Sequence, residues 1–230
     1  MPMPGCAALL LSFDVAPEAI AEHDDWHTHE HLPERLSIPG FLRGSRWTAR
    51  TGEPRYLVIY EVEQVATLTS AAYLERLDHP SPWTSKMMPH YRGMARGLCA
   101  VTASFGWGMG GACLLLRFKP APASDAGLRA WLRDDALPRM AEAPGLGSAH
   151  LLESATTAVM TNEQRIRGAD AGIDWAVVVT AYEPDALARR LDDDRLRDAL
   201  HGHGALELRT ALYRLDYVLG ADDMRRQPGA

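Results

Sequence analysis

One spacing recurs along this chain and limits what it can fold into. Trp26, Leu32, Pro33, Pro39 and Gly40 reappear as Trp131, Leu137, Pro138, Pro144 and Gly145, each displaced by 131 minus 26, or 105, residues. An internal repeat of this length predicts two similar supersecondary units in a chain of 230 residues. Between the anchors the copies differ. The first reads His27, Thr28, His29, Glu30, His31, and the second reads Leu132, Arg133, Asp134, Asp135, Ala136. A single active site is therefore expected in the first half.

Later in each half, His90 and His203 fall into register at 203 minus 90, or 113, so about eight residues are inserted on the way. The polar stretch Thr161 to Asp174 is longer than its counterpart Thr51 to Arg55 and is read as an extended hairpin loop. The expected division is a functional half over 1–106, a Gly-rich linker over 107–111, a degenerate structural half over 112–220, and a polar, frayed tail over 221–230.

Hydrophobic periodicity gives each half the same element order. In the first half, Cys6 to Val15 is a short apolar run suited to a buried strand. Pro17 opens a helix that runs to Leu36, with a kink at Pro33 and a stop at Pro39 and Gly40. Phe41 to Arg50 and Arg55 to Glu63 read as a strand pair, Val65 to Leu77 as a helix, and Leu98 to Phe105 as a closing strand. In the second half the pattern returns from Ala112 to Leu219. The fold class is α+β, two tandem ferredoxin-like β-α-β-β-α-β units. Each sheet has helices on one face and a bare apolar face on the other, so packing the bare faces together is the expected solution.

A net charge of −6 argues against a nucleic-acid or anionic-membrane surface. No stretch approaches the roughly 20 apolar residues of a membrane span, and the run Ala7 to Leu11 lacks a basic lead-in and cleavage site. Cys6, Cys99 and Cys113 are odd in number and lack metal-ligand spacing, which suits reduced thiols and a cytoplasmic location. The expected partner is a small hydrophobic or aromatic molecule. A homodimer is compatible with the pattern but not demanded by it.

His31, Leu32, Pro33, followed by Pro39, Gly40 and Phe41, form a His-x-Pro step before a Pro-Gly strand opening. With the β-α-β-β-α-β order, the chain resembles the dimeric α/β-barrel superfamily, and within it the EthD-like branch. The resemblance covers both halves, but Ala136 stands where the motif would need a second histidine. It implies ferredoxin-like units paired sheet to sheet and a cleft between sheet and helices. The superfamily holds cofactor-free monooxygenases, cyclases, isomerases and decarboxylases, besides haem enzymes, and fold does not choose among them.

His23, His27 and His31 are spaced four apart and so line one stripe of the helix, while His29 faces away. Glu34 joins the stripe if the Pro33 kink is mild. Three readings fit it: a polar helix face without chemistry, acid-base catalysis by His31 with Glu30 or Glu34 orienting it, and metal binding through His27 and His31. Haem ligation is a further variant of the last.

Trp26, Trp47, Tyr56, Tyr60, Tyr73 and Trp83 concentrate aromatics in the first half, as pocket lining or as core. Trp26 suits packing best, because Trp131 repeats it. Arg46 and Arg55 lie on or beside the strand pair, where an inward arginine binds an oxyanion. Strand alternation sends Arg43, Ser45 and Trp47 one way and Arg46 the other. The segment Pro82 to Arg92, including Trp83 and His90, is read as a lid or a surface connector.

No nucleophile elbow, phosphate loop or dinucleotide fingerprint is present. The expectation is a cofactor-independent enzyme acting on an aromatic or hydrophobic oxygenated compound. His31, His27, Glu30 and Glu34 are its candidate acid-base residues, and Arg46, Trp47, Tyr60, Trp83 and His90 its candidate binding residues. The alternatives are a ligand-binding protein without catalysis and a metal-dependent lyase or oxygenase.

Overall fold

The computed structural model describes residues 3–156, 160–192 and 194–225. Strand β1 (Ala7–Val15) leads into helix α1 (Ile20–Trp26), a π-turn over His27–His31, and helix α2 (Leu32–Leu36). Strands β2 (Phe41–Thr51) and β3 (Tyr56–Val62) follow, then helices α3 (Ala71–Asp78) and α4 (Pro82–Met87), and the long strand β4 (Tyr91–Gly106). The helix expected from Val65 is divided, with a 3-10 turn over Val65–Thr69 ahead of α3.

After the linker come β5 (Ala112–Pro120), α5 (Asp125–Trp131), a π-turn over Leu132–Ala136, α6 (Leu137–Glu142) and β6 (Leu146–Thr156). Then follow α7 (Asn162–Arg167), β7 (Ala171–Gly172), β8 (Trp175–Ala181), α8 (Pro184–Asp192), α9 (Asp194–Gly202), β9 (Ala205–Gly220) and α10 (Ala221–Arg225). The stretch read as a hairpin loop thus carries a helix and a short strand. The tail read as frayed begins with α10, whose Met224 packs on the apolar core, and 226–230 lie outside the described residues.

Eight antiparallel strands close into a barrel in the cyclic order β1-β3-β2-β9-β5-β8-β6-β4, with β4 returning to β1. The seams are β2 with β9 and β4 with β6, so each joins a strand of the first half to one of the second. Closure removes the sheet edges that two stacked sheets would leave unpaired. The apolar faces expected to pack together do so as the two sides of one continuous barrel with a filled interior.

Strand alternation sorts the side chains into three apolar clusters. Inside the barrel lie Trp47, Leu57, Cys99, Cys113, Val178 and Tyr213. Outside it, one cluster sits beneath the first-half helices, around Trp26, Leu32, Tyr60 and Tyr91. The other sits beneath the second-half helices, around Leu128, Leu132, Leu137 and Val177.

A proline inside a helix loses one hydrogen bond and crowds the preceding turn. Here the turn ahead of Pro33 is widened, and the Leu32 N–H donates to the His27 carbonyl five residues back. Leu137 does the same to Leu132 ahead of Pro138. The kink expected at Pro33 is therefore taken up as a π-turn. Gly44 lets α2 approach the sheet, because a Cβ there would lie 2.2 Å from Leu32 Cδ2.

Candidate active site

The stripe His23, His27, His31 faces the sheet and is buried, at 0%, 1% and 6% exposure. His23 and His27 have ring centroids 5.6 Å apart, as do His27 and His31, and His31 lies 4.3 Å from the Trp26 ring. Two tyrosines reach them from the strands. The Tyr91 hydroxyl is 3.3 Å from His23 Nε2, and the Tyr60 hydroxyl is 3.5 Å from His27 Nε2. The Nδ1 atoms of His27 and His31 are buried with no hydrogen-bond partner.

Burial in an apolar cleft disfavours an imidazolium. It holds His27 and His31 well below the ordinary histidine value, and the Arg35 guanidinium adds to this at His31. His23 is lowered as well, mainly by burial and against the pull of Asp24. Tyr56 donates to that Asp24 carboxylate at 2.8 Å. At neutral pH the three rings are neutral, so His31 is in the form that accepts a proton rather than gives one, and burial makes it a weaker base than a free imidazole.

The stripe continues one further step of four, to Arg35, which is 2% exposed. Burial opposes its charge most strongly, but the Glu163 and Glu34 carboxylates together with the Tyr73 and Tyr60 hydroxyls outweigh that penalty and its pKa rises. Arg35 Nη2 donates to Glu163 Oε1 across the two halves, and Nη1 lies 3.3 Å from Glu34 Oε2. Glu163 sits on α7, so the inserted helix closes the cleft of the first half. Arg167, also on α7, is paired with Asp170 at 2.6 Å, and Asp170 lies 3.9 Å from Arg96. Arg96 in turn donates to the Tyr73 hydroxyl at 3.2 Å.

Under this cover is a cavity of about 30 Å³, lined by His31, Arg35, Tyr60, Tyr73, Tyr91 and Arg96 among others. Such a volume holds a water or two. Small-molecule sites are commonly about 300 to 1,000 Å³, so the cleft is shut around its polar groups. Trp26, Leu32, Tyr60 and Tyr91 pack in the space between these helices and the sheet. Among the described residues, no group of three or more His, Cys, Asp or Glu is arranged to hold a metal ion.

The structure brings together His27, His31 and Tyr60 from the candidate set. Glu30 lies on another side of the helix, where its Oε1 accepts from Trp26 Nε1 at 3.2 Å and from Thr84 Oγ1 at 3.4 Å. Glu34 is partly buried against Arg35, with Arg76 at 3.9 Å, and burial raises its pKa. Neither carboxylate has a hydrogen bond to His31. Arg46 points to the helix side and donates to the Asp24 carbonyl and Thr28 Oγ1, both at 3.0 Å.

Three binding candidates lie elsewhere. Trp47 is in the barrel interior, donating to Ser45 Oγ at 2.9 Å, because alternation turns it away from the helices. Trp83 ties α4 to α1 through Glu22 Oε1 at 3.1 Å. His90 is partly exposed, and its carbonyl accepts from the Ala16 N–H. The helix α7 covers the cleft on one side, while the segment Pro82 to Arg92 packs as α4, a 3-10 turn and the start of β4 and gives Met88 and Tyr91 to the cavity lining. Sequence reasoning missed Arg35, Arg96 and Glu163, and held Tyr91 only as part of the segment read as a lid or connector. The four-residue period that links the histidines would have found Arg35, whereas no local signal marks the others.

The corresponding cleft of the second half holds Leu128, Leu132, Ala136 and Leu137, all apolar and buried. No helix among the described residues is long and apolar enough to cross a membrane.

No protein-family model and no curated protein matches the chain. Solved structures do. An anthrone oxidase-like protein aligns with a TM-score of 0.71 at 13% identity, over 100% of this chain and 99% of that one. A candidate monooxygenase of Fusobacterium nucleatum subsp. nucleatum aligns with a TM-score of 0.63 at 8% identity, over 95% and 96%. A haem-binding protein from Thermus thermophilus aligns with a TM-score of 0.52 at 11% identity, over 98% and 97%. At these identities the likeness is one of fold, and the chain shares the ferredoxin-like α/β-barrel architecture of these proteins.

Proposed function

We propose that the chain is a small-molecule oxygenase acting on an aromatic carbon acid, with His31 as the base and no bound cofactor. The observation that carries this reading is His31 itself, a buried imidazole held neutral, with an unpartnered Nδ1, beside a cavity edged by tyrosines and arginines. The fold likeness to an anthrone oxidase-like protein supplies the substrate class, a fused aromatic ketone with an acidic CH2 group.

His31 would take one proton from the CH2 carbon, and the resulting carbanion is an enolate whose oxygen carries the charge. The enolate reduces dioxygen, forming a carbon hydroperoxide that takes up the proton. Loss of water then leaves a new carbonyl, so that CH2 and O2 become C=O and H2O. Arg35 is the cation placed to receive the enolate oxygen, and the Glu163 carboxylate occupies it in the closed form. Substrate entry therefore requires α7 to lift, exchanging Glu163 for substrate on Arg35. The likeness of the two halves is read as tandem duplication, with the chemistry kept in the first.

Oxygen uptake with anthrone, measured with an oxygen electrode, tests the reading. Turnover is expected in the wild type and a loss of about 10²- to 10⁴-fold in kcat for His31→Gln. Equal turnover by the two proteins removes His31 from the reaction. No turnover of anthrone or of its hydroxylated analogues by the wild type removes the substrate class.

A further inference from the structure

One end of the barrel opens into a second cavity of about 430 Å³, far from the histidine stripe in character and lining. Arg117, Lys119 and Arg209 stand on its wall, with Ala95 and Ile173 among its apolar residues. This concentration of positive charge is notable in a chain of net charge −6.

Arg117 and Arg209 are register partners on the antiparallel strands β5 and β9. Side chains so placed on one face start only about 5 Å apart, and like charges directly opposite each other are destabilising. Lys119 is matched by Glu207 at 3.1 Å. The two arginines have no carboxylate bonded to them among the described residues, although Asp174 and Glu207 line the same cavity. Arg117 is partly buried, and burial together with Arg209 lowers its pKa. Partly buried charges are ordinarily paired. Two guanidinium groups facing one another across strands form a fork suited to an oxyanion.

We propose that this barrel mouth binds a small organic anion, with Arg117 and Arg209 clamping its carboxylate or phosphate oxygens. The apolar floor formed by Ala95 and Ile173 takes the adjoining hydrocarbon, which favours an anion with a compact apolar body over a bare inorganic ion. The site is separate from His31 and does not rest on the oxygenase reading.

Isothermal titration calorimetry with benzoate, phenyl phosphate and inorganic phosphate at constant ionic strength tests it. Saturable binding of benzoate or phenyl phosphate is expected, tighter than that of inorganic phosphate. Arg209→Gln is the first variant, because Arg209 is exposed and its loss spares the core. It should weaken binding at least tenfold, as should Arg117→Gln, whereas His31→Gln should leave it unchanged. Benzoate against phenyl phosphate distinguishes a carboxylate from a phosphate ligand. The proposal is overturned if none of the three anions binds saturably, or if binding survives Arg209→Gln undiminished.

Discussion

At the residue scale, the histidine stripe was legible because spacing by four survives even through a π-turn. The environment of the stripe was not legible. A carboxylate neighbour in sequence, Glu30 or Glu34, suggested a partner that raises basicity, yet folding turns both toward other groups and leaves burial to lower the histidines. The consequence for stability has a definite sign. In the unfolded chain these histidines take up protons near pH 6.5, while the folded rings resist until lower pH. Their stabilising effect is complete above pH 6.5 and is lost as pH falls below it, by up to about 1.4 kcal/mol per pH unit for each ring. Urea midpoints at pH 7.5 and 5.5 should show this loss, and a variant with His31→Gln should show a smaller one. Trp47 belongs to the barrel interior, so Trp47→Ala should cost about 3 to 5 kcal/mol in chemical denaturation and leave the histidine cleft intact.

At the element scale, Pro33 and Pro138 announced a disturbed helix, but proline alone did not say how the chain would absorb it. The wider turn does so without breaking the helix, and keeps His27 and His31 facing the sheet. The insertion at 161–174 was visible as extra length. Its role was not, because Arg35 and Glu163 are brought together by the fold from positions 163 minus 35, or 128, residues apart. A buried ion pair that loses one member leaves a charge uncompensated. Glu163→Gln should therefore loosen α7, read as faster amide exchange over 162–167 with β1 and β3 unchanged. Unaltered exchange over α7 would mean that the ion pair does not hold the cover.

At the scale of the whole molecule, the order β-α-β-β-α-β in each half was readable from hydrophobic period and turn residues. A barrel-type pairing of the halves came with the family resemblance, but its closure within one chain did not, since the pairing of β2 with β9 and β4 with β6 is long-range and carries no local signature. Physics supplies the reason for it, because each half by itself would expose two unpaired sheet edges. Segments 1–106 and 112–230 expressed separately should thus self-associate or aggregate, and mixing them should restore a one-to-one complex seen by size-exclusion chromatography with light scattering. Two soluble monomers that ignore each other would contradict the barrel.

The account turns on a neutral His31 beneath the α7 cover, and the pH titration of its ring nitrogens by NMR tests this most directly. A ring that is neutral at pH 7 and protonates only well below 6.5 is the predicted result. Protonation at or above 6.5 would make His31 substantially cationic in the resting protein and would contradict its proposed role as the base.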